Sequence, residues 1–225
     1  MQKVFSIFAQ NLAYYNEGSI EGGWLDLPQS LEVIDKYLKE VVKVDDEHEE
    51  YEIADIDDNI SPFPYASIQW SSLKELKELA IIFSKLDECQ REAIQAYLVY
   101  SGEEHYSISQ LVNICLQADN INYCRYSFEG LEYNQDCSPE LKMGYTMAEE
   151  NGIYIQLQKQ GIIDYFDFEK YGESFGYDYE LLSNGYFIPN YDIDLDCYSK
   201  EEIQEKMNEI LNEKLKEQEV SEIEI

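Results

Sequence analysis

Between Val44 and Asn59 the chain carries nine carboxylates in sixteen residues and no lysine or arginine. Neither lysine nor arginine occurs anywhere between Lys43 and Lys74. A second acidic region, Ile162 to Asp196, sets nine acids against the single base Lys170. Ionised carboxylates resist burial, so any fold must turn these segments outward and still find a core. Disorder would avoid the conflict, but it requires low hydrophobicity and few aromatics as well as charge. Here the net charge is −31, yet 44% of residues are hydrophobic and 14% aromatic, with 20 tyrosines among them. The sequence therefore predicts a folded chain with an acidic surface. Such a surface repels itself and lowers stability, which suggests a use for the charge, with solubility alone as the alternative. A halophile's acidic coat usually suppresses lysine, whereas this chain has fourteen lysines and two arginines.

The stretch "IIDYFDFEKYGESFGYDYE", Ile162 to Glu180, concentrates the problem, with six acids, seven aromatics and one lysine. As a strand it fails, because neither alternate set is apolar. As a helix it places Phe168, Tyr171 and Phe175 on one stripe, with Glu169 and Glu173 spaced i, i+4 on roughly the opposite side. Ile162 and Phe166 then fall beside those glutamates, so a second packed surface is expected there.

Along the chain, "KVFSIFAQN" predicts a strand with imperfect alternation, and "GWLDL" a second after Asn-Glu-Gly and Gly-Gly turn signals. "SLEVIDKYLKEVV" predicts a helix capped by Ser30, with Leu31, Ile34, Leu38 and Val41 or Val42 on its apolar stripe and no capping box. "YEIADIDD" reads as a strand, and "SPFPY" ends the segment because Pro62 and Pro64 cannot continue a helix. "SSLKELKELAIIFSKL", with Leu73, Leu76, Leu79 or Ala80, and Phe83 on one stripe, opens a run of three short helices. "INYCRYSFEG" and "NGIYIQL" read as strands on either side of a helix, "SPELKMGYTMAEEN". "DIDLDC" alternates Asp192, Asp194 and Asp196 with Ile193, Leu195 and Cys197, which predicts a half-buried strand with an acidic outer face. The tail from Ser199 predicts a helix with a Ser199–Glu202 capping box and a stripe of Ile203, Met207, Ile210 or Leu211, and Leu215.

Signals for catalysis are weak. No glycine-rich phosphate loop occurs. His48 and His105 lack a second His or Cys at metal spacing, and surface placement is the expectation for both. "DIDDN" from Asp55 has Ile60 and Ala66 where a calcium loop needs Gly and Glu, and "DIDLD" fails the same test. Carboxylate pairs suited to glycoside chemistry can be drawn anywhere among 47 acids, so they carry no information. No metal, cofactor or catalytic residue is expected. Five widely spaced cysteines without a CxxC, and no signal-peptide pattern, predict reduced thiols and a cytoplasmic protein. No apolar run approaches membrane-spanning length, and the negative charge argues against direct nucleic-acid binding.

Folded acids of this density can compete for a groove lined with Lys and Arg. The candidate acids are Asp45, Asp46, Glu47, Glu49, Glu50, Asp55, Asp57 and Asp58 in the first region. In the second they are Asp164, Asp167, Glu169, Glu173, Asp178, Glu180, Asp192, Asp194 and Asp196.

Three segments in order resemble the ArdA family of antirestriction proteins: "NLAYYNEGSIEGGWLDLP", "EEYEIADIDD" and "IIDYFDFEKYGESF". The first resembles a strand leading through a Tyr-Asn-x-Gly turn into a Gly-x-Trp strand. The last resembles an Ile-Asp-Tyr/Tyr-Gly antirestriction motif. The similarity covers about residues 3–190; residues 90–160 are longer than the pattern, and the helix after Tyr198 extends beyond it. The resemblance implies an elongated α+β protein in three parts. These are taken as an N-terminal α+β domain at 1–64, a helical domain at 65–118 and a dimerising C-terminal α+β domain at 119–198, followed by a helical extension at 199–225. It also implies a homodimeric mimic of B-form DNA, typically carried by mobile elements, with Phe166, Phe168 and Tyr171 as the candidate dimer contacts. Such a mimic occupies the DNA groove of type I restriction–modification enzymes, formed by methyltransferase and specificity subunits. The alternative is an acidic module that sequesters another basic nucleic-acid-binding protein.

Overall fold

In the computed structural model, β1 (Phe5–Asn11) is the middle strand of an antiparallel sheet ordered β2-β1-β3, between β2 (Gly22–Leu27) and β3 (Tyr51–Ile56). The structure describes all residues except 1–2, 58–61, 127–136, 183–184, 191–192 and 211–225. The central position of β1 explains its imperfect alternation. Phe5, Ile7 and Ala9 are buried on one face, and Ser6 and Gln10 are nearly so on the other. α2 (Leu31–Glu40) contributes Ile34 and Tyr37 to the core, and Ser30 caps it by accepting from Val33 N, as expected. Leu31, expected on that stripe, is instead 47% exposed. Tyr37 is buried, and its hydroxyl accepts from Ala9 N and donates to Gly23 O. Burial pushes that hydroxyl's pKa up to about 12. Tyr37→Phe removes the link between β1 and β2 and leaves both backbone groups short of a partner. It should cost about 1–3 kcal/mol in urea unfolding followed by tryptophan emission.

The chain divides into two compact units. The first comprises Met1–Gln95, Glu103–Asp119 and Leu195–Ile225. It holds the sheet with α3 (Tyr65–Ile68), α4 (Leu73–Phe83), the first half of α5 (Glu88–Ser101) and α6 (Ile108–Leu116). The predicted stripe on α4 is buried, and its N-terminus has a Ser72–Glu75 capping box. Phe63 joins sheet to helix through edge-to-face contacts with Phe5 and Phe83. α10, over residues 200–210, starts at the predicted box: Ser199 N donates to the Glu202 carboxylate at 2.7 Å, and Glu202 N to Ser199 Oγ at 3.3 Å. Ile203 and Met207 are buried; Leu211 and Leu215 lie outside the described residues.

The second unit, Ala96–Gly102 and Asn120–Asp194, holds a small antiparallel sheet ordered β4-β6-β5. Its strands are β4 (Cys124–Arg125), β5 (Tyr179–Leu181) and β6 (Tyr186–Pro189). One core cluster gathers Tyr126, Met143, Met147 and Phe187, with Tyr171, Phe175 and Tyr179 packed against it. α7 (Pro139–Glu150) and α9 (Phe168–Glu173) cross at two glycines. A Cβ on Gly144 would stand 1.7 Å from Phe168 O, and one on Gly172 would stand 1.8 Å from Glu140 O. The backbones therefore touch directly.

Three strand expectations change. "NGIYIQL" is α8 (Ile153–Gln160), bounded by Gly152 and Gly161 in left-handed conformations. None of its residues is buried, so its β-branched and aromatic residues reflect no core strand. "INYCRYSFEG" yields a two-residue strand, Cys124–Arg125, and its last four residues lie outside the described set. "DIDLDC" pairs with no strand among the described residues. Side chains of α6 and its C-cap residue hold its backbone instead. Gln117 accepts from Asp196 N and donates to Asp196 O, both at 2.8 Å, and Asn113 donates to the same carbonyl at 2.7 Å. Ile193 and Leu195 remain half-buried, but Cys197, expected inward, is exposed.

Candidate functional site

The acids of 45–50 sit on a loop with a fixed backbone. Asn11, fully buried at the end of β1, donates from Nδ2 to Lys43 O (3.3 Å) and His48 O (2.9 Å). The Asn11 Oδ1 caps α1 (Leu12–Asn16) by accepting from Ala13 N and Tyr14 N. Leu12 N donates to Glu50 O at 3.0 Å and closes the loop's far end. Asp45 Oδ1 accepts from Glu47 N and His48 N and pairs with His48 Nδ1, each at 2.9 Å. The Glu47 amide, then the imidazole, hold the Asp45 carboxyl below the usual range. The imidazole also stacks on Tyr14 at 4.5 Å. Thus His48 serves as a loop brace. Asp46, Glu47, Glu49 and Glu50 are exposed and line an open depression with Leu12, Ala13 and Asn16.

The outer face of the first sheet is a second acidic surface. Glu52 stands opposite Gln10 and accepts from its Nε2 at 2.8 Å; Asp55 stands opposite Phe8. Two residues on one face of a strand normally differ by an even number. A register shift opposite Phe8 and Ala9 adds one residue to β3, so Glu52 and Asp55 share the outer face while Ile53 and Ile56 are both buried. Asp26, on β2, accepts from Ser6 Oγ, and Lys3 Nζ lies 3.4 Å from Asp26 and 3.5 Å from Asp57. The Ser6 hydroxyl, with help from Lys3, lowers the Asp26 pKa. Asp26 and Glu52 were missing from the sequence-derived set. The alternation of "GWLDL" was the available signal for Asp26.

In the second unit Asp164, Asp167, Glu169, Glu173, Asp178 and Glu180 are all exposed. Asp167 caps α9 by accepting from Lys170 N, and Glu169 accepts from Ser138 Oγ at 2.6 Å. Only Phe168–Glu173 of the predicted longer helix is α-helical; Ile163–Tyr165 is a 3-10 turn. The rings make a connected set. Phe168 stacks on Tyr145 at 3.9 Å, Phe166 meets Phe168 (4.8 Å) and Tyr171 (5.5 Å), and Tyr171 meets Phe175 (5.1 Å). Phe168 is 4% exposed and so lies inside its own unit. Phe166 and Tyr171 are half-buried. Asp194 and Asp196 are exposed; Asp58 and Asp192 lie outside the described residues.

No group of three or more His, Cys, Asp or Glu side chains that could hold a metal occurs among the described residues. His105 Nδ1 contacts Ala66 O at 3.0 Å. No described helix is long and apolar enough to cross a membrane. Most of the described acids are exposed, whereas Glu52 and Asp57 are half-buried. No curated protein matches the chain significantly. A family model for the antirestriction protein ArdA matches residues 7–188, a span that includes the braced acidic loop, the sheet face and the acidic–aromatic stretch. The chain belongs to the ArdA family of antirestriction proteins.

Proposed function

We propose that this antirestriction protein acts by DNA mimicry: its carboxylates occupy the basic groove of a type I restriction–modification enzyme and exclude duplex DNA. The supporting observation is the bracing of the acids. A loop that merely solvates charge needs no buried Asn11 tying both its sides to the sheet, nor a stacked histidine. Carboxylates held in place lose less freedom on binding than mobile ones. Duplex DNA presents about one charge per 1.7 Å of axis, so 31 net charges equal those of about 50 Å of duplex. The methyltransferase and specificity subunits are the proposed contact, and the cytoplasm the proposed site of action. Two copies would join through the second unit, where Phe166 and Tyr171 stay half-buried and Ile155, Ile162 and Tyr165 are exposed.

The test is cleavage of unmodified DNA by a type I enzyme with and without the protein. Inhibition is expected; none at low salt and excess protein contradicts the proposal for that enzyme. Pull-down from host lysate separates the alternative: methyltransferase and specificity subunits support the type I target, and a different basic protein supports sequestration.

A further inference from the structure

The ringed centre of the outer sheet face has no role in charge mimicry. Trp24, the tryptophan of "GGWLDL", is 53% exposed and meets Phe8 edge-to-face at 5.7 Å. The two residues are directly paired across β1 and β2. Their strands are held firmly: Tyr37 Oη binds Gly23 O beside Trp24, and Cβ atoms on Gly22 and Gly23 would strike Ala9 O (2.4 Å) and Val41 Cγ1 (2.8 Å). Carboxylates flank the rings on the same face, with the Lys3 ammonium beside Asp26 and Asp57. Asp26 lies two residues along β2 with its side chain 55% exposed and its Oδ1 engaged by Ser6 and Lys3, Asp55 stands opposite Phe8 with its Oδ1 accepting from Ile56 N, and Glu52 lies further along β3. An apolar ring so flanked by acids suits neither a membrane surface nor a nucleic-acid base, since phosphates in either would be repelled.

A planar cation satisfies both parts of the surface. A guanidinium stacks on an aromatic face and donates in its own plane to carboxylates, whereas a lysine ammonium is a hydrated point charge that gains less from a ring. We infer that the Trp24 face is a docking site for an arginine side chain of a basic protein partner, with Asp26 and Asp55 as the flanking acceptors. The inference deepens the proposed function, on which its biological partner rests: the arginine would be one that ordinarily contacts DNA. It makes Trp24 a specificity-determining residue in a surface whose carboxylates alone would hardly distinguish arginine from lysine.

The test uses the full chain and two probes of equal charge, octa-arginine and octa-lysine peptides, and measures both affinities at near-physiological salt. Wild type should prefer octa-arginine by about two- to fivefold, the range for an exposed cation–π contact. Trp24→Ala should remove that preference while leaving octa-lysine binding within about twofold, because the Coulombic attraction is retained. Trp70→Phe leaves Trp24 as the sole tryptophan, and its emission should change with octa-arginine more than with octa-lysine. Equal affinities in wild type, or a preference that survives Trp24→Ala, would overturn the inference. Neither outcome depends on a restriction enzyme. Loss of the preference alongside intact restriction inhibition supports the docking site, and failure to inhibit restriction bears on the proposed function alone.

Discussion

Gly172→Ala should unfold the second unit selectively. The added methyl would stand 1.8 Å from Glu140 O and 2.7 Å from Gly144 N, and both are backbone atoms of α7 that cannot rotate away. Overpacking typically costs 1–3 kcal/mol when side chains can adjust; here the helices themselves must separate, so a loss of about 3 kcal/mol or more is expected. Gly144→Ala, facing Phe168 O across the same crossing, should act alike. Separation would also pull Phe168 off Tyr145 and loosen the ring set that packs on Met143 and Phe187. Both tryptophans, Trp24 and Trp70, lie in the first unit. The variant should therefore lose far-ultraviolet circular dichroism at lower urea while its tryptophan transition moves little. Coincident wild-type-like transitions by both probes would refute the close crossing. The Tyr171-Gly172 pair in the acidic–aromatic stretch thus has a packing cause independent of charge.

The second large effect concerns charge. Neutralising Asp46, Glu47, Glu49 and Glu50 together, as Asn and Gln, should weaken binding to a basic target by about tenfold or more. Any one change alone should cost at most about fivefold, since exposed pairs contribute about 0.2–1 kcal/mol each. The fold should survive, because these side chains are exposed and the braces are Asn11, Asp45 and His48. Unchanged circular dichroism with reduced inhibition is the expected pair of results. A single carboxylate that abolished inhibition would mean that a discrete site, and not a collective field, carries the function. Binding should also fall by at least about tenfold between 50 and 200 mM salt, which corresponds to release of about two counterions.

Much of the scaffold was readable from the sequence where one face or stripe was apolar. The α4 stripe, the Ser199–Glu202 box, and the first three strands follow from period and capping residues. The misreadings share a cause. "NGIYIQL" has strand-like composition, but two left-handed glycines frame a surface helix. "DIDLDC" has strand-like alternation, yet its hydrogen bonds come from Gln117 and Asn113, some eighty residues away in sequence. Local pattern carries no trace of such partners. Among the acids, exposure was legible and rigidity was not. Nothing in "DDEHEE" announces that Asn11 anchors it. The outer-face pairing of Glu52 with Asp55 depends on an extra residue in β3 that alternation alone cannot reveal. For the aromatic residues between Ile162 and Glu180, the structure separates Phe168, internal, from Tyr165 and Tyr177, about nine-tenths exposed. The interleaving of acid and ring arises because a six-residue helix and a 3-10 turn change direction within the stretch.

The central claim, that the acids stand in for DNA phosphates, is tested most directly by competition. A fluorescent duplex bound to a type I methyltransferase–specificity complex is titrated with the protein, and displacement is followed by anisotropy at several salt concentrations. Mimicry predicts full displacement of the duplex at low salt, with a half-displacement concentration that rises as duplex concentration rises. Inhibition of cleavage with the duplex still bound would contradict it, because the protein would then be acting somewhere other than the DNA groove.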